Sequence, residues 1–161
     1  MTNNNRVQLT FFILVLMIIG IFPSLGSANS NKILSNGQSV YVPVYSHIYH
    51  GDQEKKFNLT ATLSIRNTNL KKDIVLNSID YFDSNGELLK NYLEDPIVLK
   101  KFSTIRYVIK AKDKSGGSGA KFIVRWKSET LSNAPIIEAI MISTQSQQGI
   151  SFVSRGQAIH E

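Results

Sequence analysis

Apolar and polar residues alternate along most of this chain. Phe57, Leu59, Ala61, Leu63 and Ile65 interleave with Asn58, Thr60, Thr62, Ser64 and Arg66. A period of two puts one strand face in a core and the other in water. The same period predicts strands at 39–49, 73–83, 87–92, 103–111, 120–128, 135–144 and 149–158. Asp83-Ser84-Asn85-Gly86 separates two of them, and Asn-Gly supplies the positive φ angles of a tight hairpin. Ile136 to Ile142 is apolar at both parities, which suits a central strand covered on both faces. No stretch has helical periodicity. Short strands with turn signals about every ten residues predict an all-β antiparallel sandwich, immunoglobulin-like, of about 7–8 strands.

The first residues follow another pattern. Met1 to Arg6 is polar, Leu9 to Phe22 is apolar except at Thr10 and Gly20, and Pro23 precedes the small residues Ser24, Gly26, Ser27 and Ala28. Charged start, short apolar run and small-residue site make a signal peptide, with cleavage predicted after Ala28. A spanning helix needs roughly 20 apolar residues, so a retained inner-membrane anchor is the alternative. The chain therefore reads as signal peptide 1–28, disordered leader 29–37 rich in Asn, Ser and Gly, and one domain at 38–161. The predicted location is the periplasm or the exterior.

Composition narrows the function. The chain has no cysteine, which removes thiol nucleophiles, zinc-thiolate sites and disulfides, and favours a bacterial envelope over a eukaryotic secreted domain. Of the formal charge of +6, cleavage removes only Arg6 and leaves +5. An exported basic protein seldom meets nucleic acid, so anionic envelope polymers or headgroups are the expected partners; simple solubility is the alternative reading of the charge. The pairs Lys55-Lys56, Lys71-Lys72 and Lys100-Lys101 fall at turns and suit solvated corners.

Strand parity isolates several candidate sites. Tyr41, Pro43, Tyr45, His47 and Tyr49 share one face of the first strand, opposite Val40, Val42, Val44 and Ile48. Exposed, that tyrosine stripe would bind sugar or protein; covered, it would be ordinary cross-strand packing. His47 and His50, three apart, point to opposite faces, and with His160 the only other histidine no metal site or cofactor is expected. Lys114 to Lys121 is glycine-rich but lacks the spacing of a phosphate-binding loop, and reads as a hairpin or crossover loop. If strands 103–111 and 120–128 pair, Arg106 and Lys110 join Lys121, Arg125 and Lys127 in one basic sheet face. No Ser–His–Asp signature or other catalytic constellation occurs.

Four stretches carry a resemblance: Val40-Tyr-Val-Pro-Val-Tyr-Ser-His-Ile-Tyr-His-Gly51, Leu59-Thr-Ala-Thr-Leu-Ser-Ile-Arg-Asn67, Ser115-Gly-Gly-Ser-Gly-Ala120 before Phe122-Ile-Val-Arg-Trp126, and Gln148-Gly-Ile-Ser-Phe-Val-Ser-Arg-Gly156. Together they resemble a family of exported bacterial proteins, domain of unknown function 3124, over about residues 38 to 158. Lys121 departs from the asparagine expected there. The resemblance implies an exported domain and brings no mechanism.

The expected function is a periplasmic, non-enzymatic binding or interaction module, for an anionic envelope polymer or another envelope protein. Loops around 45–52, 115–121 and 145–156 would carry specificity, with Arg155 the preferred anion contact. The alternatives are a polysaccharide hydrolase pairing His47 or His50 with Asp52 or Asp80, and a structural subunit joined through a strand edge.

Overall fold

Period-two patterning becomes two antiparallel sheets. The computed structural model describes residues 34–160 apart from 53, 146 and 147; the signal segment and residues 29–33 of the leader lie outside the described residues. In chain order the strands are β1 (Leu34–Val44), β2 (His47–His50), β3 (Lys55–Asn58), β4 (Thr60–Arg66), β5 (Ile74–Phe82) and β6 (Leu88–Asn91). There follow β7 (Ile97–Leu99), β8 (Thr104–Ile109), β9 (Ala120–Asn133), β10 (Ile136–Gln145), β11 (Gln148–Arg155) and β12 (Gln157–Ile159). One sheet runs β12-β1-β9-β5-β6, with β7 also on β5; the other runs β11-β10-β4-β8; β2 and β3 form a separate hairpin.

This is the all-β sandwich read from the sequence. The larger number of strands comes mostly from breaks: the first predicted strand divides into β1 and β2 at Ser46, and the last into β11 and β12 at Gly156. At the centre, β4 pairs with β8 and β5 with β9, as strands B–E and C–F do in immunoglobulin domains. The flanks are exchanged. The late strand β10 lies beside β4, and the first strand β1 lies beside β9.

One core fills the space between the sheets. Val42, Val44, Phe122 and Val124 from the first sheet, and Leu63 and Ile65 from the second, are buried in a single cluster. Each such side chain contributes about 1.5–3 kcal/mol over an exposed position. A bulge between Leu76 and Ser78 in β5 shifts the parity, so Leu76 and Ile79 are both buried.

Several expectations need correction. Residues 34–37 are not leader: they open β1 and pair with β9, Leu34 opposite Asn133. The predicted strand 120–128 continues to Asn133, because the far end of β9 is held by β1 although its sequence is polar. Strand β7 has only three residues, too few for a period of two to show in the sequence. Among the described residues the outer face of β10 is only partly covered, and Ile136 and Ile142 are about half exposed. In the β5–β6 turn only Gly86 has positive φ; the Asp83 carboxylate accepts the Asn85 and Glu87 N–H groups and shapes the rest.

Candidate functional site

Two of the loops favoured by sequence, 45–52 and 115–121, meet at one end of the sandwich, while 145–156 is mostly the strand β11. Ser46, in the break between β1 and β2, donates its N–H to the Gly117 carbonyl and accepts that of Leu59 at the start of β4. The glycine-rich loop is a crossover from β8 to β9, and its glycines are explained by packing. A Cβ on Gly116 would meet the Tyr81 hydroxyl at 2.0 Å. Ser84 donates to the Gly116 carbonyl and accepts the Gly119 N–H. Tyr81 is buried against Phe122, and burial raises its pKa. Lys121 leans back on the Gly119 carbonyl, 3.4 Å away.

The tyrosine stripe does not survive as a surface. Tyr41 is half-buried on the outer face of the first sheet, in register with Ile123 and Gln157. Tyr45 packs edge-on against Phe152 of β11. After the break at Ser46 the chain forms β2, which pairs with β3; His47 at its start is buried at 5% exposure, while Tyr49, two residues on along the same face, stays open and packs against its ring. Among the described residues, both ring nitrogens of His47 lack a hydrogen-bond partner, as does Oδ1 of its cross-strand neighbour Asn58. Burial, then the charges of Lys56 and Lys114, lowers the His47 pKa.

His50 packs instead on Phe57, on the other face of the hairpin. Asp80 is bound to Arg125 and Ser78. Among the described residues no carboxylate bonds to either histidine, so the acid–base pair of the hydrolase reading is not assembled.

The single basic face is overturned. Strands β8 and β9 lie in different sheets, so Arg106 and Lys110 are separated from Lys121, Arg125 and Lys127. Arg125 is held by Asp80 at 2.9 Å, which neutralises it where a free anion contact was expected. Arg155 is exposed on β11, opposite Glu138 of β10.

A cluster of lysines lies at the other end, where β4 finishes. Lys71 and Lys72 follow β4, Lys100 and Lys101 follow β7, and Lys127 is on β9; these five lysines line an open cleft of about 930 Å³. Val75 and Val98, a cross-strand pair, lie at its floor. Two carboxylates, Asp73 and Glu129, leave the lining with a formal charge of +3. Asp73 is engaged: the Lys101 N–H first, then Lys100, hold its pKa below the usual carboxylate range. Lys72 donates to the Thr130 hydroxyl and the Leu131 carbonyl. Among the described residues no carboxylate forms an ion pair with Lys71, Lys72, Lys101 or Lys127.

A buried asparagine sets this geometry. The Asn67 amide lies within hydrogen-bond reach of the carbonyls of Lys72, Leu99 and Lys100, and its own oxygen accepts the N–H and amide of Asn69. Asn69 in turn ties to the backbone of Asn133. One side chain thus fixes both lysine-bearing turns. The sequence did show the lysine pairs, and only the fold shows that two of the three share a cleft. The Asn67-Thr68-Asn69 run was the available signal, since buried Asn side chains organise turns.

The family model described as "Protein of unknown function (DUF3124)" matches residues 37–159. No curated protein matches the chain. Among solved structures, the one titled "Crystal Structure of Thermotoga maritima 1070" is similar with a TM-score of 0.44 and 7% identity, over 74% of this chain and 92% of that one.

Proposed function

This chain belongs to the DUF3124 family, and for it we propose the role of an exported, non-enzymatic module that binds an anionic envelope component in the lysine cleft. The observation that carries the reading is the convergence of five lysines against two carboxylates on one cleft. Lysine presents a mobile point charge rather than the planar fork of arginine, which suits a flexible polyanion more than one small anion held bidentately. Export rests on the amino-terminal pattern, with cleavage after Ala28 and a periplasmic or external location. The cleft takes the place of Arg125 and Arg155 as the anion contact.

Equilibrium binding to inorganic polyphosphate tests this. Lys71→Gln, Lys101→Gln and Lys127→Gln are each expected to weaken binding by about threefold to tenfold and to flatten its salt dependence. Arg155→Ala, away from the cleft, should leave affinity unchanged. Equal affinity and equal salt dependence in all four variants would overturn the reading.

A further inference from the structure

We propose that the cleft end of the sandwich docks on an anionic phospholipid bilayer; this deepens the anionic-ligand reading and rests on it. The cleft continues into a second cavity of about 480 Å³ that shares Lys71 and Lys72 and is lined by Leu34, Leu70 and Leu131. Those leucines are 50%, 69% and 57% exposed. Phe102, whose N–H is bound to the Asn69 carbonyl beside them, is 75% exposed. Single exposed apolar residues are ordinary, and a contiguous group edged by charge marks an interaction site.

Phe102 supplies an independent sign. Its φ is +54°, in a turn closed by the Ser103 N–H on the Lys100 carbonyl. Left-handed backbone favours Gly or Asn, and a bulky aromatic there is strained. The turn would form more easily with either smaller residue. Strain retained at an exposed position marks a working side chain, and the work available to a solvent-directed phenyl ring is insertion into an apolar phase.

The two turns match. One reads Leu70-Lys71-Lys72 and the other Lys100-Lys101-Phe102: an apolar tip with two lysines beside it. Lysine stems let an ammonium reach phosphate headgroups while the neighbouring tip enters the acyl boundary, and basic residues close to an anionic leaflet add to the attraction. Protein interfaces are depleted in lysine and enriched in arginine. All five cations here are lysines, which favours a bilayer over a protein surface. Leu34, in β1, brings a third strand to the patch.

The unit Lys32–Glu161 contains every core residue, so the chain from Asn29 serves for the test. Sedimentation with vesicles of phosphatidylglycerol mixed with phosphatidylcholine should bring the protein down, and vesicles of phosphatidylcholine alone should not. Leu70→Ser and Phe102→Asn are each expected to reduce partitioning about tenfold and to leave polyphosphate binding unchanged. Leu131→Ser gives a further tip variant, and an undiminished urea midpoint for each shows that none acts by unfolding. Polyphosphate binding without vesicle binding, or vesicle binding indifferent to the three tips, overturns the docking proposal and leaves the anionic cleft standing. Binding to neither probe overturns both.

Discussion

Replacing Asn67 by Asp changes almost nothing in shape and reverses the chemistry of the cleft's keystone. Asn67 is 2% exposed, and its Nδ2 lies 2.9, 3.2 and 3.1 Å from the carbonyls of Lys72, Leu99 and Lys100. Two N–H groups serve three acceptors. The substitution removes both donors and sets a carboxylate oxygen against the same carbonyls. The Lys100 carbonyl keeps the N–H and hydroxyl of Ser103, so the carbonyls of Lys72 and Leu99 bear the loss, and at about 1–3 kcal/mol each it should be about 2–6 kcal/mol at neutral pH. That is a large part of the 5–15 kcal/mol typical of a domain.

The pH dependence separates lost donors from lost packing. The introduced carboxyl is driven toward its protonated form, so its folded pKa lies above its unfolded value near 4. A raised folded pKa contributes stability below the unfolded pKa and loses it as pH rises through the folded one. The deficit against the parent should therefore shrink as pH falls through the raised folded pKa and level off below about 4, where the restored O–H replaces one donor. Urea unfolding of both proteins at neutral and acid pH measures this. A deficit below about 1 kcal/mol at neutral pH would refute the keystone role, and a pH-independent deficit would refute the donor argument.

Two further outcomes follow from the opposite end. The lowered His47 pKa means the unfolded chain binds the proton more tightly, so stability is full above about 6.5 and declines as pH falls through that value; His47→Gln should flatten the urea midpoint between pH 5 and 8, and an unchanged slope would remove His47 as the cause. Gly116→Ala should cost about 1–3 kcal/mol by overpacking against the Tyr81 hydroxyl, visible as a lower thermal midpoint, and an unaltered midpoint would mean the loop shifts freely.

The strands were legible because alternation over five or more residues records which face is buried, and in β4 that record departs from the structure only at the buried Ser64. What failed was everything depending on which strands meet. Nothing in 103–111 or 120–128 says that one joins the second sheet and the other the first, so the basic face dissolved. The break at Tyr45-Ser46 takes β2 out of the first sheet and into a hairpin with β3, where His47 is buried at one end and Tyr49, on the same face, is open at the other. The cleft was illegible for the same reason: Lys72, Lys100 and Lys127 are distant in sequence and meet only through the Asn67 knot and the pairing of β5 with β7 and β9. The Phe102 strain could not be read at all, since its neighbours give no sign of positive φ.

The exchange of flanking strands has a mechanical consequence. Because β1 takes the place of a last strand, β12 pairs with it through only three registered positions, Ser39 with Ile159 to Tyr41 with Gln157. Both ends of the domain then leave in the same direction along that ribbon. A pull on them opens the pairs one after another, like a zipper, instead of shearing them together. Under tension β12 would peel away first at low force, while β1 stays clamped along its length by β9.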